Sequence, residues 1–140
     1  GPEIESRFNV QVERFIKTLM IELATLTDMA RTYVIPAVET QLSRTYRVVD
    51  EASDSLKKSY KLRVAALEKV LKGLLDGEKV LSEMIVVIDQ IHDEVKKMDR
   101  IQSDAIPLRE ALRAFADEAE TLVADDLWPL PKYREMLFTL

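Results

Sequence analysis

The sequence lacks cysteine altogether and holds one histidine, three glycines and five prolines in 140 residues. Without cysteine there is no disulfide, no thiol nucleophile, no thiolate metal site and no iron–sulfur cluster. One histidine excludes a site of two or three histidines within one chain. No glycine-rich stretch exists, so phosphate-cradling loops and dinucleotide fingerprints are absent. A β-sandwich or barrel needs glycine, asparagine or proline at a turn every 8–12 residues or so, and this chain cannot supply them. Long apolar runs are missing too. The longest, Met84 to Ile88, is far short of the roughly 20 residues that span a bilayer. No membrane association and no signal peptide are expected, and the absence of cysteine suits the cytoplasm.

What remains is rich in helix formers. Apolar residues make up 47% and charged residues 32%, the balance of a helical bundle rather than of a disordered chain. Gly1-Pro2 reads as a scar of protease cleavage, which leaves residues 3–140 as one expected domain. Lys and Arg number 20 against 25 Asp and Glu, for a net charge of −5. That balance favours solubility and counts against a nucleic-acid partner.

Periodicity gives three long helices. In the first, Phe8, Val12, Phe15, Leu19, Leu23, Leu26, Ala30, Tyr33 and Ala37 recur with a mean step of about 3.6 residues, the α-helical period. Pro36 lies inside this pattern, where a proline removes a backbone donor and clashes with the carbonyl four residues back. A kink near Thr32 to Pro36 is therefore expected, and a clean break there would make the helices four. The run Asp50 to Ser55 is the expected end of this helix, because Ser and Asp favour caps.

The second helix carries Tyr60, Val64, Leu67, Leu71, Leu74, Leu81, Ile85, Ile88, Ile91, Val95 and Met98. Its end is expected near Lys97 to Arg100, where the cations suit the helix dipole. Gly73 and Gly77 each cost about 1 kcal/mol against alanine, so they mark either a close neighbour or a bend. The third helix is expected to start after Ser103-Asp104, with Pro107 in its first turn, and to end near Asp125-Asp126. Beyond it, Trp128-Pro129-Leu130-Pro131 forbids helix and implies an extended tail. The fold class is all-α: an antiparallel bundle with short connections.

No catalytic pair can be singled out among the many carboxylates, most of which form wet helix faces. Asp89 and His92 have the spacing of half a bundle di-metal site, but the second His-bearing half is missing, so an exposed helix-surface histidine is the better reading. Only dimerisation could complete a metalloenzyme here. Lys57, Lys58, Lys61, Arg63, Lys69 and Lys72 form a basic stretch, and Glu110 to Asp126 an acidic one. Either could face a partner or each other. Trp128 is the only tryptophan; it either folds back onto the bundle or anchors a partner, as Trp and Tyr often do at interfaces. Val80, Met84, Val86 and Val87 exceed what one apolar row needs, which suggests a second contact face.

Two blocks carry a resemblance. Leu26-Thr27-Asp28-Met29-Ala30-Arg31 is followed by Ile35-Pro36-Ala37-Val38. Leu112-Arg113-Ala114 and Leu122-Val123 precede Trp128-Pro129-Leu130-Pro131, Tyr133 and Leu137-Phe138. Together they resemble the C-terminal helical domain of type III glutamine synthetases. The resemblance covers about Ile4 to Leu140; it differs after Tyr133, where Arg134-Glu135 replaces the family's Gly-Asp. It implies a parent ligase that joins glutamate and ammonia using ATP and magnesium or manganese. Its catalytic, nucleotide and metal residues lie upstream in the family, so none is assigned here and the chain alone is expected to be no enzyme. The implied role is packing, oligomer assembly or regulation, with the catalytic domain and neighbouring subunits as partners in a homo-oligomer. Expected docking residues are Trp128, Pro129, Pro131, Tyr133, Val86 and Val87. A free-standing helical adaptor for an unrelated protein is the alternative.

Overall fold

A computed structural model describes residues 2–131. Among these the only regular elements are helices. Helix α1 (Pro2–Met29) passes through a π-helical turn, Ala30–Val34, directly into α2 (Ile35–Glu51). The rod from Pro2 to Glu51 is about 75 Å long at 1.5 Å per residue. A break follows at Ala52, whose backbone is extended, and Ser53 then caps α3 (Asp54–Asp89) by accepting the Leu56 N–H at 3.3 Å. The expected end near Asp50 to Ser55 is thus where the chain turns.

Pro36 does not break the rod; a π-helical turn precedes it. The N–H of Ile35 donates to the carbonyl of Ala30, five residues back. One extra residue is thereby fitted into the turn, and the carbonyl that the proline ring would strike is eased aside. The same device recurs. The π-helical turn Ile101–Ala105 precedes Ile106-Pro107, and the N–H of Ile106 donates to the carbonyl of Ile101. Both turns lead into Ile-Pro-x-x-Glu, as Ile35 to Glu39 and Ile106 to Glu110.

The second and third helices divide differently from the expectation. α3 ends at Asp89, not near Lys97 to Arg100, and the third rod starts at α4 (Glu94–Arg100), well before Ser103. It runs through the second π-turn into α5 (Ile106–Leu122), which stops short of Asp125. The reason is local. Asp93 adopts extended backbone and accepts the Lys96 N–H at 3.0 Å, a strong N-cap. The apolar spacing runs on through Ile91, Val95 and Met98 because Ile91 and Met98 stay half-buried on both sides of the turn, while Val95 is exposed.

α3 is the shared wall of the fold, with α2 and α5 both lying along it. Leu67, Val70, Leu74, Leu81 and Ile88 on α3 are fully shielded from solvent, as are Leu23, Val38, Ile101 and Leu112 from the other rods. Burying each such side chain contributes about 1.5–3 kcal/mol. Gly73 and Gly77 serve a close approach, not a bend. A Cβ on Gly73 would overlap the ring of Phe115, and one on Gly77 would lie 3.2 Å from Leu112 Cδ1. Arg31 ties the first rod to α3 through Glu78 at 3.1 Å, and Arg109 of α5 reaches Glu22 of α1 at 3.9 Å.

Candidate docking sites

Past Leu122 the chain leaves the helix and turns at Asp125 to Leu127. The N–H of Leu127 donates to the carbonyl of Ala124 at 3.0 Å, and that of Trp128 to the same carbonyl at 3.2 Å. Three residues of the opposite rods hold this turn. Arg63 of α3 donates to the carbonyl of Leu122 at 3.1 Å, satisfying a carbonyl that the helix end leaves open. Gln41, buried in α2, accepts the N–H of Ala124 at 3.0 Å. Its amide donates to Thr45 Oγ1 at 3.1 Å, and Thr45 donates back to the Gln41 carbonyl at 2.9 Å. Arg44 forks onto both carboxylate oxygens of Asp126, at 3.2 and 2.7 Å. The hydrogen bond from Arg44 holds the Asp126 carboxyl below its ordinary value and raises the Arg44 guanidinium in turn.

Leu127, Trp128 and Leu130 pack half-buried against the core, while Pro129 and Pro131 are exposed. Trp128 Nε1 is buried without an acceptor among the described residues. Tyr133 lies outside the described residues. Val86 and Val87 are exposed at 62% and 45%. Adjacent helix residues are separated by about 100°, so the two would lie at opposite edges of one broad contact face. Trp128 and its turn stand at the α2/α5 end, away from both valines.

His92 sits in the loop between α3 and α4, beyond the helix that carries Asp89. The helical i, i+3 relation expected of the pair is therefore lost. Both line an open pocket of about 400 Å³ with Glu13, Lys17, Glu94 and Lys97. Among the described residues no group of three or more His, Asp or Glu is placed to hold a metal ion. No described helix is long and apolar enough to cross a membrane. The basic stretch is spread over exposed positions of α3 and partly engaged: Arg63 on the Leu122 carbonyl, Lys72 on Asp76 at 3.1 Å. Tyr46 adds one further cross-rod contact. Desolvation, then Glu68, pushes its hydroxyl above the ordinary value.

The Gln41–Thr45 pair went unseen in the sequence, although its signal was there. Two polar residues four apart sit on the face of Val38 and Leu42, and buried polar groups need partners.

The family model for the glutamine synthetase C-terminal domain matches residues 1–53, the whole of the first rod. Among curated proteins, a glutamine synthetase of Bacteroides fragilis is 26% identical over 98% of this chain. A type-3 glutamine synthetase of Dictyostelium discoideum is 27% identical over 97% of it, and a glutamine synthetase of Butyrivibrio fibrisolvens 28% identical over 99%. In each case the chain spans only 20% of the relative's length. No solved structure matches significantly. The chain is thus a relative of the glutamine synthetases, type-3 enzymes among them, and carries a match to their C-terminal domain.

Proposed function

We propose that this chain is the helical C-terminal module of a glutamine synthetase of type III, non-catalytic by itself. The parent would be a cytoplasmic ligase that joins glutamate to ammonia with ATP and magnesium or manganese. One observation carries this: relatives named glutamine synthetase align with 97–99% of the chain, yet the chain accounts for only 20% of their length. The module packs as an antiparallel three-helix bundle. Supporting this order, Phe115 meets Gly73, Leu112 meets Gly77, and Arg63 reaches the Leu122 carbonyl. As residue numbers rise along one helix they fall along the other.

Its role is to pack on the body of the enzyme and assist assembly of a homo-oligomer. The turn around Trp128, with Pro129, Pro131 and Tyr133, is one docking element. Val86 and Val87 would serve a second. The test removes residues 3–140 from the parent and measures synthetase activity and particle size. Loss of assembly supports the reading. A native reading frame that starts near Glu3 sinks it and leaves the free-standing adaptor.

A further inference from the structure

The first third or so of α1 stands beyond the bundle. Residues 2–11 are all exposed, and α3 and α4 come alongside only near Glu13 and Ile16. The helix therefore projects by about 15 Å. Such a segment should be polar all round if it met only water. Instead Ile4 and Phe8 are 72% and 64% exposed, and Phe15, at the level where the bundle begins, is 55% exposed. At about 100° per residue these three fall within roughly 40° of one another. The face they form lies about a quarter turn from the one that Ile16 and Leu23 bury in the core. Leu19 and Leu26, which pack against the core, lie within about 40° of the same line, so the stripe continues the bundle-facing side of α1 past the end of the bundle. Arg7 and Arg14 flank it on one side and Glu5 on the other; none of the three forms an ion pair among the described residues.

Size decides the kind of partner. The three side chains expose roughly 300–400 Å², taking 150–250 Å² for a whole aromatic residue. A stable complex between separate molecules buries about 800 Å² on each partner. Little more than half of such a surface is apolar, roughly 450 Å², and the stripe falls short of that, which favours a partner held close over a free second copy. The stripe is large enough for a partner in the same polypeptide, where a short connection raises the effective concentration to roughly millimolar.

We propose that Ile4, Phe8 and Phe15 seat in an apolar groove on the enzyme body that precedes this region, with carboxylates of that groove facing Arg7 and Arg14. The proposal rests on the family reading above. It makes α1 a docking helix that couples the bundle rigidly to that body, since α1 runs unbroken into the core.

The test compares the 140-residue chain with the full-length polypeptide. Side-chain labelling of Phe8 and Phe15 by hydroxyl radicals is expected to fall about tenfold in the long protein, as for groups released only by local opening. Ile21, exposed on another side of α1, should label equally in both. Phe8→Asp with Phe15→Asp should restore fast amide exchange over residues 3–15 of the long protein. Equal labelling of both phenylalanines overturns the proposal, as does protection that grows with concentration of the 140-residue chain, which identifies a second copy. Synthetase activity of the same preparation separates the two levels. An active enzyme with fully labelled phenylalanines sinks only the docking helix; an inactive one removes the family reading itself.

Discussion

Gln41 Oε1, buried within α2, accepts the backbone N–H of Ala124 at 3.0 Å, across 83 positions of sequence. The bond gives a donor that α5 has left behind a partner inside the protein. Replacing Gln41 by Ala strands that N–H and unseats Thr45. A stranded buried donor costs about 1–3 kcal/mol. Gln41→Ala is expected to lower unfolding stability by that amount. Amide exchange should quicken first at Ala124 to Trp128, ahead of the core of α3.

How much of this was legible beforehand depends on the range of the interaction. The rods, the turn at Ala52 and the core positions Leu67, Leu74 and Leu81 follow from local periodicity and capping. The turn after Asp89 does not, because Gln90 to Asp93 contain neither glycine nor proline and the apolar spacing runs through them. Only Asp93 as a cap marks it. The clasp of Gln41, Arg44 and Arg63 on residues 122–126 is non-local, and nothing in periodicity pairs those positions. The exposed stripe of α1 was concealed for the opposite reason. Phe8 and Phe15 fit the helical period so well that they read as core.

Arg44 and Asp126 give the clasp a pH dependence whose sign is fixed. The Asp126 carboxyl is depressed by the hydrogen bond from Arg44. The ion pair therefore contributes fully above the unfolded carboxylate value, about 3.9, and is lost as pH falls through the lower folded value. Both side chains are exposed, so the contribution is modest and screened by salt. Unfolding of the protein and of Asp126→Asn should differ by a constant amount near neutral pH. The difference should close in strong acid and shrink in high salt.

Gly73 and Phe115 form a notch and its filler. Gly73→Ala gains about 1 kcal/mol of helix propensity but drives Cβ into the Phe115 ring, and overpacking costs about 1–3 kcal/mol. Net destabilisation of about 1 kcal/mol is expected. The ring is the cause, so Phe115→Ala should change sign in combination: in that background Gly73→Ala becomes stabilising. A double-mutant cycle measured by chemical denaturation reads the coupling directly. Gly77→Ala faces Leu112 at 3.2 Å and should stay closer to neutral.

Pro36 and the π-turn before it should be removable together but not apart. A π-turn holds one residue more than the α-helix around it. Deleting Thr32, which is exposed, would return Ala30–Val34 to α-helical geometry and keep the faces of α1 and α2 in register. The ring of Pro36 would then meet the carbonyl four residues back, at a cost of about 3 kcal/mol or more. Pro36→Ala alone removes the ring but leaves the extra residue. A uniform α-helix would then rotate the face of Ile16 and Leu23 by about 100° against that of Val38 and Leu42, so core packing should keep the π-turn and stability should change little. The deletion with Pro36→Ala should recover most of what the deletion alone loses. Equal stability of the deletion in both backgrounds, measured by thermal unfolding, would show that the proline is not what the wide turn accommodates.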